Sequence, residues 1–417
     1  MTFRPNFNIF TFGCKLNQAE SCQIAADLMQ KKFPLAKREI YFIINACAVT
    51  HKAVREVRQK VTQLKRDNPK AKIIVAGCLA EKNWPAVDLW VENKDKHKTA
   101  KIIKERFFNQ KSASEWSSPY VQLSLRTRAF VKIQSGCDNY CSYCIVPFTR
   151  GHSSCVSPTK IINEIREKEK AGYKEVVLTG VNIGLYLWSA NLGLKERADN
   201  KVLELTDLLR LILEKTQIQR IRLGSLWPTH LKQRLINLFA TNSRFCAHLH
   251  LSIQSGSNQI LKLMGRNYRC EDVLQVVRRC RSKIPLINFT ADMLVGFPGE
   301  TDKDFKDSRR LIEKIGFSKV HVFKYSVRPG TAAAKMRNQL PEMIKQQRSR
   351  ELIERAELVA TKIKKKFLNK KMPVLWEYKL NGYWYGFTDN YIRVKKKVNK
   401  NENLRDKIEE IKLKEFV

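Results

Sequence analysis

Short β-rich runs alternate with helix-like stretches along most of this 417-residue chain. A chain patterned in this way is nearly confined to parallel sheets with helical crossovers. In the segment 1–112, Phe7–Phe12, Tyr41–Ile44 and Lys72–Ala76 read as strands, with helices over Leu16–Lys32 and Lys52–Asp67. That order specifies a doubly wound parallel sheet. A second series starts near Arg126 and runs to Pro341, with strands at Ala129–Gln134, Glu175–Thr179, Arg220–Ser225, His248–Ile253, Leu286–Val295 and Lys319–Tyr325. Helices are expected from Pro158 to near Gly172 and over Thr229–Ala240, Glu271–Ser282 and Thr301–Ile315; Pro suits a first turn and Gly a C-terminal cap. Six βα repeats are too few for a closed eight-fold barrel and suit a partial (βα)6 barrel, open on one side to admit a large substrate.

From Pro341 to Lys371 a long basic helix is expected, with Ile344, Ile353, Ala356, Val359, Ile363 and Phe367 at near-helical spacing. Beyond Pro373 the pattern turns β: Val374–Tyr378, an Asn381-Gly382 hairpin signal, then Tyr383–Lys397. Aromatics beside cations in a small β-domain make a surface suited to single-stranded RNA. The expected domains are therefore 1–112, 126–371 and 372–417.

Cysteines punctuate this pattern. Cys14, Cys47 and Cys78 each fall just after one of the first three strands. Carboxyl ends of parallel strands share one edge, where sites form, so three widely separated thiols can converge there. The competing reading is three buried thiols acting as small core residues. The loop after the first barrel strand holds Gly136-Cys137-Asp138-Asn139-Tyr140-Cys141-Ser142-Tyr143-Cys144. Zinc sites usually pair two cysteines with a matching pair elsewhere, and a Cys3His site would need His152. Three thiolates at spacings of four and three residues suit a four-iron cluster, leaving one iron open to a small chelating ligand. Cys22, Cys155, Cys246, Cys270 and Cys280 read as structural, and a fourth ligand at Cys155 would close that iron. His248 and His250 share a strand face and read as satisfied strand histidines.

Lys plus Arg number 78 against 40 Asp plus Glu, a net charge of +38. Such an excess favours a polyanion, nucleic acid or an anionic membrane. Met1–Phe10 lacks the apolar core of a signal peptide, and no segment approaches the roughly 18 apolar residues of a spanning helix. The expectation is a soluble cytoplasmic protein with no membrane partner, where eleven cysteines are ligands, catalytic thiols or core rather than disulfides.

Cys137, Cys141 and Cys144, with Tyr143 among them, resemble the CxxxCxxC signature of the radical S-adenosylmethionine superfamily. Further segments resemble its methylthiotransferase family: Thr11–Gln18, Asn45–Thr50, Gly77-Cys78, Thr179–Gly184, His250–Ser257, Gly296–Thr301 and Arg328–Thr331. They follow the family's order over nearly the whole chain, including its small C-terminal RNA-binding β-barrel, the TRAM domain. The resemblance implies two [4Fe-4S] clusters and S-adenosylmethionine as cofactors. Cys137, Cys141 and Cys144 would hold the cluster whose open iron chelates the cofactor's amino and carboxylate groups, and reduction would then yield a radical that takes hydrogen from an unactivated carbon. Cys14, Cys47 and Cys78 would hold a second cluster that carries sulfur. Tyr143, Gly180, Asn182, Ser225 and Gln254 are the implied cofactor contacts. The implied partners are an electron donor and the anticodon stem-loop of tRNA.

Within the family, Lys15-Leu16-Asn17-Gln18, Val49-Thr50 and Asp138-Asn139 look most like the branch acting on N6-threonylcarbamoyladenosine. The isopentenyladenosine branch and the ribosomal-protein branch are the alternatives, and a non-catalytic iron–sulfur RNA-binding protein is the rival of another class. Arg150, Arg266 and Arg328 are candidate partners for the threonylcarbamoyl carboxylate. The chain departs from the family at Trp227, where Glu is usual, and at Ala46 and Ala48, where Thr is usual.

Overall fold

A computed structural model describes residues 6–31, 33–34, 39–79, 83–108, 115–116, 120–122, 127–189, 202–397 and 402–417. The expected boundaries at Lys32, Ser112 and Arg126 lie outside the described residues. The chain forms two compact units, one of residues 1–125 with 145–152, the other of 126–144 with 153–417.

The first unit is a parallel sheet. Its strands are β1 (Asn6–Thr11), β2 (Ile40–Ala46), β3 (Lys72–Gly77), β4 (Leu89–Glu92) and β5 (Tyr120–Gln122), in the order β4-β3-β2-β1-β5. Helices α1 (Lys15–Gln30), α2 (His51–Asp67) and α3 (Thr99–Phe107) cross over between them. Alternation divides the core, because successive strand side chains face opposite ways. Tyr41, Ile43 and Ile74 pack with Leu28 and Ile103 on one face, while Phe42, Ile44 and Val75 pack with Val57, Val61 and Leu64 on the other. The Thr50 hydroxyl caps α2 by accepting from the Ala53 amide at 3.1 Å. Strands β4 and β5 were not foreseen, being short and flanked by polar residues.

The second unit carries six parallel strands: β6 (Arg128–Lys132), β7 (Glu175–Thr179), β8 (Arg220–Leu223), β9 (His248–Gln254), β10 (Asn288–Val295) and β11 (Lys319–Lys324). β6, β7 and β8 form one array. Past Gly224, Ser225-Leu226 pairs with β9, which continues to β10 and β11. This is the partial barrel, with β6 and β11 at its edges. Helices α4 (Pro158–Lys170), α5 (Leu205–Lys215), α6 (Gln233–Ala240), α7 (Cys270–Lys283) and α8 (Asp302–Ile315) cover its outside. Leu249, Leu251, Ile253, Phe289, Ala291 and Met293 pack beneath them, so His248, His250, Ser252, Thr290 and Asp292 take the opposite, lumen-side face. Several boundaries differ from expectation, and the helix expected to reach Lys371 ends at Lys365, with Lys371 opening a strand. The stretch read as a helix from Thr229 begins as a short turn at Pro228–His230 and becomes α6 only at Gln233. The strand read from Leu286 starts at Asn288, because Leu286 takes a positive φ of 57°.

Helix α9 (Glu342–Lys365) leads into an antiparallel sheet of β12 (Lys371–Leu380), β13 (Tyr383–Thr388), β14 (Arg393–Lys397) and β15 (Ile408–Lys412), in the order β14-β13-β12-β15. It is a small TRAM-like β-barrel cored by Met372, Val374, Trp376, Trp384 and Val394. Its contacts are with the amino-terminal ends of the (βα)6 strands. Arg222 pairs with Glu175 at 2.6 Å and donates to the Asp389 carbonyl at 2.8 Å, Arg128 meets Glu377 at 2.9 Å, and His248 stacks on Tyr391 at 4.6 Å. Among the described residues no helix is long and apolar enough to cross a membrane.

Candidate functional site: two three-cysteine edges

In the first unit, Cys14, Cys47 and Cys78 follow β1, β2 and β3 directly, and the registers Thr11↔Asn45 and Ala46↔Gly77 bring all three to the carboxyl edge. The approach is close enough to demand glycine. Gly13 has φ +91°, and a Cβ there would lie 2.5 Å from the Cβ of Cys47. Cys47 and Cys78 are buried and Cys14 is exposed. Burial pushes the Cys47 thiol up to about 11, an amide hydrogen bond from Val49 opposes it, and the charges of Cys14 and Cys78 add to the rise.

The floor under these thiols is polar. Asn17, 1% exposed, donates to the carbonyls of Phe12 and Ala46 at 2.8 and 3.1 Å, tying the first two cysteine loops together. Glu20 pairs with Lys96 at 2.7 Å and with Arg150 at 2.8 Å, and Arg150 also donates to the Asn17 amide oxygen at 2.5 Å. Arg150 comes from a short helix, Val146–Arg150, that belongs to this unit. Burial pulls its pKa down, but Glu20 and the thiols of Cys78 and Cys14 outweigh burial and hold it above its ordinary value. Lys96 is held below its usual value, chiefly by burial. Beside the thiols, Lys96 and Arg150 thus share the Glu20 carboxylate. Asn17, Glu20 and Lys96 went unnoticed as site residues, since Lys96 sits in an ordinary-looking Asn93-Lys94-Asp95-Lys96-His97-Lys98 run.

In the second unit, the loop Gly136–Cys144 follows β6. Cys137 and Cys141 are buried and Cys144 half-buried. Burial raises the Cys137 thiol against a hydrogen bond from the Asn139 backbone amide, and raises Cys141 against the Arg266 charge. The loop is anchored by Ser142, whose amide donates to the Met264 carbonyl at 3.0 Å and whose carbonyl accepts from the Ala333 amide at 2.7 Å. Among the described residues no group of three or more His, Cys, Asp or Glu side chains is arranged to hold a single metal ion. That includes both cysteine sets. A four-iron cluster takes its thiolates at separate corners of a cube and needs wider spacing than one ion does.

Gly180, Asn182, Ser225 and Gln254 follow or end β7, β8 and β9, so parallel pairing puts them on the same edge as the cysteine loop. Gly180 abuts Gln134, where a Cβ would lie 2.8 Å from the Gln134 carbonyl oxygen. Asn182 is 2% exposed; its side-chain Nδ2 meets His230 Nε2 at 3.2 Å, while its side-chain Oδ1 has no partner among the described residues. Gln254 takes a φ of +76° at a bulge in β9. Tyr143 accepts a hydrogen bond from Arg266 at 2.5 Å. Trp227, the family departure, stacks on the Arg266 guanidinium at 4.1 Å. Arg328 is buried, and Arg150 lies in the other unit.

The two strand histidines share a hydroxyl partner. His248 and His250 both meet Thr290 Oγ1, at 2.9 and 2.8 Å, and His250 also meets Asp292 at 3.0 Å. Cys246, Cys270 and Cys280 are buried. Cys155 accepts from the Leu187 amide at 3.3 Å.

Residues 131–312 match the radical SAM superfamily, and residues 6–95 match a family described as uncharacterized protein family UPF0004. A threonylcarbamoyladenosine tRNA methylthiotransferase of Thermotoga maritima is 36% identical over 400 residues, covering 92% of this chain and 90% of that protein. A tRNA-2-methylthio-N(6)-dimethylallyladenosine synthase of Bdellovibrio bacteriovorus is 32% identical, covering 88% and 84%. In fold, the chain is similar to the radical S-adenosylmethionine methyltransferase TsrM of Kitasatospora setae, with TM-score 0.54 and 13% identity over 80% of this chain and 75% of that one.

Proposed function

Given that the chain belongs to the radical S-adenosylmethionine tRNA methylthiotransferase family, we propose that it converts N6-threonylcarbamoyladenosine next to the anticodon into its 2-methylthio derivative. The observation that carries this reading is the pair of three-thiol edges, each at the carboxyl ends of parallel strands. Cys137, Cys141 and Cys144 hold one [4Fe-4S] cluster, and Cys14, Cys47 and Cys78 hold a second. With S-adenosylmethionine bound, an open-iron cluster supplies reductive cleavage of the sulfonium and hence a carbon radical, which acid–base groups cannot provide.

The chain's own residues position and shield. Asn139 donates to Cys137 and favours its thiolate. Gly180 keeps the β7 turn flat against Gln134. The buried, unpartnered Asn182 side-chain oxygen Oδ1 fits a hydroxyl or ammonium donor of the cofactor, since such an acceptor is costly to leave unsatisfied. Ser225 and Gln254 offer further polar atoms on the same edge, and Tyr143 backs the cysteine loop. At the first edge, Arg150 and Lys96 offset the thiolate charge. The cofactor-side electron comes from an external donor, and the basic chain, at +38, meets its tRNA in the cytoplasm.

Anaerobic reconstitution tests the reading. Wild type should bind about eight irons, as two four-iron clusters require. Alanine at Cys137, Cys141 and Cys144 should leave about half of that iron and abolish cofactor cleavage. Alanine at Cys14, Cys47 and Cys78 should also leave about half, with cleavage retained and methylthio transfer lost. Full iron retention in the second variant overturns the two-cluster assignment. Absence of cofactor cleavage in wild type favours the non-catalytic RNA-binding alternative.

A further inference from the structure

Arg266 is a buried cation with no counter-carboxylate among the described residues. It is 8% exposed, and its Nε and Nη1 nitrogens have no hydrogen-bond partner among the described residues. Three other deeply buried guanidiniums have carboxylate partners: Arg150 pairs with Glu20 at 2.8 Å, Arg222 with Glu175 at 2.6 Å and Arg348 with Glu300 at 2.7 Å. Around Arg266 stand instead the Trp227 ring at 4.1 Å, the Tyr143 hydroxyl at 2.5 Å, and the Tyr268 hydroxyl, whose proton is given to the carbonyls of Ser252 and Ile253. Tyr143, Tyr268 and the loop cysteines Cys141 and Cys137 are ionisable groups that act on it.

The residue is also held rigidly. Its amide donates to the Leu261 carbonyl at 2.9 Å, and two residues earlier the Met264 carbonyl accepts from Ser142 inside the cysteine loop. Gly265, at φ +73°, packs so that a Cβ would lie 3.8 Å from the Cys141 Cα. A stacked, oriented guanidinium with unused donors is a preformed anion site. Its burial between aromatic rings excludes a nucleic-acid backbone and selects a small planar anion.

We infer that Arg266 is a carboxylate-binding residue of the cysteine-loop site. This rests on the methylthiotransferase reading, under which two carboxylates enter that site: the methionyl carboxylate of the cofactor and the carboxylate of a threonylcarbamoyl group. Trp227 serves as a positioning residue that holds the guanidinium plane.

The test compares wild type, Arg266→Gln and Arg266→Lys after reconstitution, with iron content measured for each. Equilibrium dialysis gives affinities for S-adenosylmethionine and its decarboxylated form. Fluorescence anisotropy gives affinities for anticodon stem-loops bearing threonylcarbamoyl- or isopentenyl-adenosine. Arg266→Gln should weaken a carboxylate-bearing ligand about tenfold or more relative to its carboxylate-free counterpart, the usual size for losing a charge-assisted hydrogen bond. Lys should restore part of the loss. A selective loss for S-adenosylmethionine assigns the site to the cofactor, and one for the threonylcarbamoyl stem-loop assigns it to the substrate. Unchanged affinity for all four ligands overturns the inference. So does loss of iron with unchanged affinity per remaining cluster, which would make Arg266 a counter-cation of the thiolates. Wild type that binds neither the cofactor nor either stem-loop would refute the methylthiotransferase reading itself.

Discussion

Lys96 and Glu20 meet at 2.7 Å with side chains only 4% and 9% exposed, on the floor of the Cys14–Cys47–Cys78 edge. Glu20 is shared, because Arg150 reaches its other oxygen at 2.8 Å. Removing the carboxylate would strand two buried cations, whereas removing Lys96 leaves Glu20 still paired with Arg150. Breaking a buried pair from one side typically costs about 3–5 kcal/mol. Glu20→Gln should therefore lower the thermal midpoint of the cluster-free protein clearly more than Lys96→Met, as followed by circular dichroism. Equal shifts for the two variants would remove Glu20 from its central place.

The cysteine pattern and the strand–helix alternation were legible because each is local. Strands β1–β3 and β6–β11 announce themselves by period, and each site cysteine follows its strand by a few residues. What stayed hidden depends on contacts distant in sequence. Lys96 reaches Glu20 across 76 positions and Arg150 reaches it across 130. β15 and the buried charges at the foot of the barrel become meaningful only once the C-terminal sheet has docked. Trp227 stands in the sequence only as a departure from the usual Glu, and its stacking on Arg266 emerges only when the two loops meet.

Gly13 should prove irreplaceable. Alanine there would carry a φ of +91° and push a methyl against the Cys47 side chain at 2.5 Å. Strain at such a backbone position costs on the order of 1–3 kcal/mol, and the clash adds to it. Iron analysis of Gly13→Ala should show about half the wild-type content, from the expected two four-iron clusters. Full loading would mean that the first edge needs no such closeness.

Glu175 makes stability acid-sensitive. Burial alone would raise its carboxyl, but Arg222, with Arg128 and Arg220, brings it down to about 2 from 4.5. A folded pKa below the unfolded one gives stability that is full above the unfolded value and is lost as pH falls through the folded value. The contribution, on the order of 3 kcal/mol for such a shift, should disappear between about pH 4.5 and 2. Glu175→Gln should flatten that part of the stability–pH curve. It should also loosen the C-terminal β-barrel, because Arg222 also donates to the Asp389 carbonyl at 2.8 Å.

That shared charge makes deletion of 372–417 a poor probe of RNA binding, since it would uncover Arg222 and Arg128 as well. Surface substitutions are cleaner. Tyr378 and Tyr385 stack at 5.2 Å with planes 12° apart, and the Arg393 guanidinium lies 5.7 and 5.4 Å from the two rings. Replacing Tyr385 by Ala should weaken stem-loop binding by about 1–3 kcal/mol if a base stacks there. Arg393→Ala should reduce the salt slope of binding by about one unit. Cofactor cleavage without RNA should be unchanged in both. Wild-type affinity and salt slope in both variants would assign RNA contact to another surface.

Substrate choice is decided by offering reduced enzyme the two modified stem-loops side by side. Relatives named for each substrate cover most of this chain, at 36% and 32% identity, so overall similarity does not separate them. The chemistry of the two groups does. A threonylcarbamoyl group brings a carboxylate that needs a cation or backbone donors, whereas an isopentenyl group is apolar and would leave a buried cation unmatched. The second unit holds buried Arg266 with unused donors and buried Arg328 in the loop after β11. Methylthiolation of the threonylcarbamoyl stem-loop, with little or none of the isopentenyl one, is the expected result by mass spectrometry of the released nucleosides. The reverse preference would move this protein to the sister substrate while leaving the two-cluster chemistry intact. A variant pairing Arg266→Gln with the assay would then show whether discrimination resides in that guanidinium, because losing it should narrow the preference about tenfold if the carboxylate is read there.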